Sequence, residues 1–166
     1  MGNRSCVKNT FGGEKMNQEK EVVRLNPISN GTVLDHLPIK SAFKIINLLE
    51  LSLNDPVMVA VNIDSKKMGR KDLIFIEGKE LSQKEVQKIG LIAQGSTWNT
   101  VKDRKVFSKK KIQMPYELIG IVRCSNPKCI TNHEEIDTKF VRNEKIITCN
   151  YCEKEMKLNE AIQNIK

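Results

Sequence analysis

The sequence predicts an α+β protein in two parts: a ferredoxin-like domain over residues 21–113, then a small four-cysteine zinc-binding β domain of the rubredoxin-like or zinc-ribbon kind over 114–166. Three observations predict this. Before residue 113, extended and helical segments follow the order strand, helix, strand, strand, helix, strand, the order of a split βαβ sandwich with two helices on one face of an antiparallel sheet. After it come four of the five cysteines, in two close pairs. Finally, charge divides at the same place. Residues 115–166 carry eight Lys/Arg and eight Asp/Glu, so the whole net charge of +8 lies in residues 1–114.

Residues 1–20 are polar, with Gly2, Gly12 and Gly13 among scattered Lys and Glu, and are expected to form a disordered extension. Cys6 lies there without a partner, and Met16 could serve as a second start. Order is expected from Glu21. Val22–Leu25 reads as a short strand. Asn30-Gly31 is a turn before the extended Thr32–Leu37, which Pro38 ends. Ser41 is placed to cap a helix in which Ala42, Phe43, Ile46 and Leu49 share one face, with Leu53 just beyond. Val57–Ile63 reads as a strand buried on both faces. Asp64–Arg70 is a turn, and Leu73–Glu77 is the strand's hairpin partner.

Ser82-Gln-Lys-Glu85 has the form of a capping box, with Leu81 and Val86 placed as a hydrophobic staple. Val86, Ile89 and Ala93 then line one face of a second helix. Ser96–Val101 and Arg104–Phe107 are two short strands around Lys102-Asp103. Trp98 is expected as core or rim packing. Lys109–Lys111 leads to Pro115 and reads as a solvated linker, with a phosphate contact from one of its lysines as the alternative. Leu118–Val122, Lys139–Val141 and Ile146-Ile147 are strands that enter and leave the cysteine turns.

Cys124-Ser-Asn-Pro-Lys-Cys129 and Cys149-Asn-Tyr-Cys152 each offer two thiolates from a tight turn, and the intervening loop brings the turns together. This is a donor set for one structural Zn²⁺, because four sulfurs close the tetrahedron and leave no position for substrate. Iron is the alternative ion for the same cage. A disulfide reading needs an oxidising compartment, and Met1–Lys20 is polar, with no apolar segment of the kind a secretory signal has. His133, between the pairs, is left out because four cysteines already fill the site.

Aromatic residues make up 5% of the chain and charged residues 29%, and no apolar run approaches the roughly 20 residues that span a bilayer. A cytoplasmic protein is expected. Basicity together with a four-cysteine module raises the alternative of a zinc-ribbon nucleic-acid-binding protein. The module itself is neutral before it takes its metal, and only Phe140 and Tyr151 lie near the cysteines for base stacking, which speaks against it. A third reading, which follows from the family resemblance given next, is a nucleotide sensor without an enzyme partner, whose zinc domain would expose no apolar patch. No Ser-His-Asp set, Walker loop or open metal site is present, so no catalysis is expected.

Gly31-Thr-Val-Leu-Asp-His36, Met68-Gly-Arg-Lys-Asp-Leu-Ile74, Glu117–Ile130 with its Cys-x₄-Cys and Cys149–Glu155 together resemble the regulatory chain of aspartate carbamoyltransferase, from about Val22 to Ala161. The resemblance implies a non-catalytic subunit in de novo pyrimidine biosynthesis. Its N-terminal domain would bind nucleoside triphosphates of the CTP, UTP and ATP class and pair with a second copy, and its zinc domain would dock on the catalytic chain. Carried over by position, the nucleotide pocket falls on Pro27 and Ile28 (main chain reading the base edge), Val33, Asp35, His36, Asn99, Val101, Val106 and Lys109. Asp35 would accept from base or ribose, and His36 and Lys109 would meet phosphate. Two positions depart from the family. A lysine that touches ribose and base is replaced by Phe75, and Arg104 stands where tyrosine is frequent.

Overall fold

A computed structural model describes residues 28–52 and 54–166. The expectations for residues 1–20, Cys6, Val22–Leu25, Pro27 and Leu53 lie outside the described residues.

The first part contains β1 (Gly31–Leu37), α1 (Ala42–Leu48), β2 (Val57–Ser65), β3 (Gly69–Glu77), α2 (Gln83–Ile92), β4 (Thr97–Lys102) and β5 (Lys105–Lys111). The strands form one antiparallel sheet in the order β2-β3-β1-β4-β5. The first four follow the ferredoxin-like order, and β5 adds an edge strand by a hairpin. Side chains alternate across a strand, which divides the sheet into two faces. Val59, Ile74, Leu34 and Trp98 sit side by side in register and pack under the helices. Ile45, Leu49, Val86, Ile89 and Ala93 complete that core. Among the described residues, no helix covers the other face.

Several expectations change. Helix α1 buries Ala42, Ile45 and Leu49, the same helical spacing with Ile45 in place of Phe43, which is 61% exposed. Ser41 does not cap the helix through its hydroxyl, which donates to the Pro38 carbonyl at 2.6 Å. The fully buried carboxylate of Asp72 on β3 accepts from the N–H groups of Ser41 and Ala42, both at 3.2 Å. A negative charge at a helix N-terminus satisfies orphan donors and opposes the macrodipole. Strand β2 is not buried on both faces. As the outer strand it turns Val57 and Val59 toward the core, and Val57, Met58, Val59 and Ala60 are all only half-buried.

Lys109–Lys111 is not a linker but the end of β5. An edge strand pairs on one side only, so both its faces can be charged, and lysines there block pairing with other chains. The run alternates in direction: Lys109 and Lys111 share the open face with their partners Asn99 and Thr97, while Lys110 turns to the helical side, 5.5 Å over the Trp98 ring. The real connection is Ile112–Tyr116, where Ile112 packs into the first core and Met114 into the second.

The second part contains β6 (Glu117–Ile119), β7 (Lys139–Asn143), β8 (Ile146–Cys149), β9 (Glu155–Lys157) and α3 (Leu158–Gln163), in a sheet ordered β6-β7-β8-β9. Its core is Leu118, Ile121, Val122, Phe140, Ile147 and Met156 around three of the cysteines. Leu91 of α2 also belongs to this core. One helix therefore serves both parts, with Gly90 set against the main chain of Gln113.

Candidate functional site: a metal centre and a graded groove

The four cysteine sulfurs lie within 4.8 Å of one another. Cys124 Sγ is 3.6 Å from Cys152 Sγ, and Cys129 Sγ is 3.9 Å from Cys149 Sγ. A tetrahedron with Zn–S bonds of about 2.3 Å has edges of about 3.8 Å, so the donors are already at metal-binding separation. Local chemistry prepares them. The Thr131 hydroxyl lies 3.2 Å from Cys129 Sγ, at hydrogen-bonding distance. The Asn132 amide donates to the carbonyls of Cys124 and Asn126 at 2.9 and 2.8 Å and stitches the first turn, a role that the spacing of the cysteines alone does not reveal.

Burial pushes the Cys124 thiol up to about 12 and also raises Cys149. Burial opposes ionisation at Cys152 as well, but the Lys154 N–H and the Asn126 side chain outweigh it and bring this thiol down to about 7. Buried thiols that resist ionisation alone become thiolates when a divalent cation supplies the charge. His133 is not part of the cluster; its Nε2–H donates to the Pro127 carbonyl at 2.7 Å.

The second site lies on the open face of the larger sheet. Register places Phe75, Val33, Asn99 and Lys109 in one row across β3, β1, β4 and β5, and Asp35, Thr97 and Lys111 in the next. A cavity of about 240 Å³ at one end is lined by Ile28, Val33, Phe75, Asn99, Val101, Arg104 and Val106. Five of the residues expected to line a nucleotide pocket are thus brought together, Ile28, Val33, Asn99, Val101 and Val106, and Phe75 faces the same cavity instead of the helical core. Arg104 reaches it from the β4–β5 turn, where its N–H donates to the Ser29 carbonyl at 2.9 Å.

Asp35 and His36 sit at the other end. Between Leu34 and Leu37, β1 spends one residue more than β3, a bulge that places His36 at φ +58°. Bulges re-aim side chains, and here the Asp-His pair turns beside the cations. Lys71 Nζ is 2.6 Å from Asp35 Oδ1, and His36 Nδ1 is 2.9 Å from Asp35 Oδ2. Burial disfavours the charged Asp35 carboxyl, but the Lys71 ammonium and the His36 N–H prevail and hold it below the usual carboxylate range. Lys111 donates to the Thr97 hydroxyl and the Gly95 carbonyl, both at 3.2 Å. Desolvation, then Lys67 and Lys109 beside it, pull Lys111 below the ordinary lysine value, with Asp35 opposing. Lys111 belongs to the run from which a phosphate contact was the alternative expectation, whereas Lys67 and Lys71 were not among the expected site residues. The turn Asp64–Arg70 and the lysine run gave no sign that they converge, because β2 and β5 are at opposite edges of the sheet.

Two family models match the chain. Residues 23–113 match the aspartate carbamoyltransferase regulatory chain, allosteric domain, and residues 116–162 match the metal binding domain of the same chain. The chain belongs to the aspartate carbamoyltransferase regulatory-chain family. Regulatory chains of the same name from Pyrococcus abyssi and Thermococcus sibiricus are 42% and 40% identical to it, each aligned over 86% of this chain and over 98% and 97% of their own lengths. That of Methanococcus vannielii is 45% identical over 81% of this chain and 93% of its own.

The protein is therefore a non-catalytic regulatory subunit whose partner is the catalytic chain of aspartate carbamoyltransferase, and its four-cysteine domain holds one structural Zn²⁺. Neither comparison favours a zinc-ribbon nucleic-acid-binding protein. The zinc domain also exposes the large apolar side chains of Ile119, Ile130 and Tyr151. Among the described residues, no helix is long and apolar enough to cross a membrane.

Proposed function

We propose that the open face of the larger sheet binds a nucleoside triphosphate, and that the zinc domain transmits its occupancy to the catalytic chain. The observation that carries this reading is the gradient along the groove. Its apolar end, Ile28, Val33, Phe75, Val101 and Val106, suits a base and sugar. Its cationic end, with His36, Lys71, Lys109 and Lys111, suits a triphosphate, which carries about four negative charges and gains from several point-charge contacts. Lysines crowded without a matching number of acids are the arrangement an anion would relieve. In this reading Asp35 accepts from the ligand and keeps Lys71 in place, while Lys109 neutralises phosphate. Pro27 and Ile28 meet the base through their main chain.

The allosteric domain runs from residue 21 to 113 and the docking domain from 114 to 166. In this reading the chain pairs with a second copy of itself and works in the cytoplasm with its catalytic partner. A nucleotide acts by preferring one quaternary state, and linkage requires that the preferred state bind it more tightly in return.

Calorimetry of the zinc-loaded full chain with ATP, CTP, GTP and UTP tests the ligand. Binding of at least one is expected, weakened about tenfold or more by Lys109→Ala through loss of a charge-assisted contact, and weakened further by added salt. No binding by any of the four at millimolar concentration would refute the nucleotide reading. Sedimentation of the chain alone, and with a carbamoyltransferase trimer, tests the pairing and the docking.

A further inference from the structure

The apolar end of the groove is built to hold a ring by its faces more than by its edge. Phe75 stands in register between Val33 on β1 and Met58 on β2, half-buried, with its ring forming a wall of the 240 Å³ cavity. The polar side chains around that cavity are Asn99 and Arg104, and the Asn99 amide already donates to the Val33 carbonyl at 3.4 Å. A second hollow of about 130 Å³ shares Ile28 and Phe75 with the first and is otherwise lined by Met58, Val57, Pro56 and Glu77, whose carboxylate accepts from the Ser29 N–H at 3.4 Å. Phe75 therefore lines two adjoining hollows, which together offer more room than a single six-membered ring needs.

We infer that Phe75 makes this site selective for purine over pyrimidine nucleoside triphosphates, by stacking. The inference rests on the nucleotide reading above and names the ligand class of the same groove. Stacking needs no edge code, since every base has a π-face, and its strength grows with the area of ring overlap. A bicyclic base covers Phe75 and reaches the adjoining hollow; a pyrimidine covers Phe75 alone. Arg104, which lines the same cavity, carries the cation that a cation–π contact with the base would need.

The test is calorimetry on the zinc-loaded full chain with ATP, GTP, CTP, UTP and tripolyphosphate, for the wild type, Phe75→Leu and Phe75→Tyr. The wild type is expected to bind both purine nucleotides about five- to tenfold more tightly than both pyrimidine nucleotides. Phe75→Leu, which keeps an apolar side chain of similar reach, should remove most of that ratio while leaving tripolyphosphate binding unchanged. Phe75→Tyr should restore the ratio, because it restores the ring. Equal binding of the four bases, or a purine preference that survives in Phe75→Leu, would overturn the role of Phe75 and leave the nucleotide reading standing. Binding of none of the nucleotides would remove both.

Discussion

The two sheets of this molecule solve the same problem with different means. The larger one has helices on one face and buries a continuous apolar core, with Leu34, Leu37, Ile45, Ile74, Ile76 and Ile89 fully enclosed. It can leave its second face open and charged because the first holds it together. The smaller one has four short strands, two of them only three residues long, and a single six-residue helix. Cysteines form part of its core, so the metal stands where further apolar layers would otherwise be needed. The difference teaches where each task can reside. A ligand groove needs a scaffold that stays folded when the groove is empty, and a docking module can be small if a metal fixes its shape.

The largest effect expected is therefore the loss of zinc. Chelation, or a mercurial that captures the thiolates, should unfold residues 114–166, because the metal's binding free energy of roughly 10 kcal/mol or more is folding free energy in so small a module. The larger sheet should survive. Far-UV circular dichroism and amide exchange would separate the two outcomes, and the catalytic trimer should be released at the same zinc stoichiometry. Uniform unfolding of both sheets would erase the distinction between them. So would the survival of both.

A matching blow to the larger sheet is Asp72→Ala. Asp72 accepts from Ser41 and Ala42 at the start of α1 and, at 2.9 Å, from Asn62 in the bulge of β2. Removing it leaves buried donors unmet at a cost of about 3 kcal/mol. Denaturant melts should show the first part destabilised and zinc affinity unaltered, the reverse of chelation. The carboxylate matters beyond stability, because its neighbour Lys71 points the other way and holds Asp35 in the groove. Nucleotide affinity should fall along with stability in this variant.

Much of this was legible in the sequence, for identifiable reasons. Strand alternation gives the faces of β1 and β4, the Ser82–Glu85 spacing gives the start of α2, and the cysteine spacing gives the metal site. These are local signals. What stayed hidden depends on long-range pairing. That Val57–Ile63 is an outer strand and Lys109–Lys111 part of an edge follows from sheet order, which no window of residues reports. The bulges at His36 and Asn62 place residues other than glycine at positive φ, a cost the local sequence does not advertise. Asp72 acts as a helix cap from 30 residues away, so a local search for caps passes it by and stops at Ser41. In the groove, Asp35, His36 and Asn99 are legible through their motif. Lys67 and Lys71 are not, and Lys111 is legible only as one of a run of three, because only the fold brings both ends of the sheet together.

The junction between the two parts gives a smaller effect with an informative sign. Gly→Ala inside a helix is ordinarily stabilising by about 1 kcal/mol. At Gly90 a Cβ would stand 2.8 Å from the Gln113 carbonyl oxygen, a main-chain atom that cannot swing aside. Gly90→Ala should therefore destabilise by about 1–2 kcal/mol through overpacking, and it should loosen the contact that Leu91 makes with the second core. A stabilised variant would mean that α2 and the connection are not packed this closely.

The smallest expected effect tests whether the larger sheet owes its independence to its core or to the ends of its helices. In α2 the Ser82 hydroxyl accepts from the Glu85 N–H at 3.2 Å, and the Glu85 carboxylate accepts from the Ser82 N–H at 2.8 Å. Burial disfavours ionised Glu85, but its bonds from Ser82 and Lys79 outweigh this and hold its carboxyl below the usual value. A depressed carboxyl contributes stability that is present above its unfolded pKa and is lost as pH falls through the folded one. Ser82→Ala should cost about 1 kcal/mol at neutral pH. The cost should shrink in acid once Glu85 is protonated in both proteins, because half of the reciprocal cap is then already weakened. Melts of wild type and variant across the carboxylate range measure this directly. A pH-independent difference would show that the Ser82 hydroxyl acts alone, and a loss well above 1 kcal/mol would move the origin of the domain's stability from its core toward its caps.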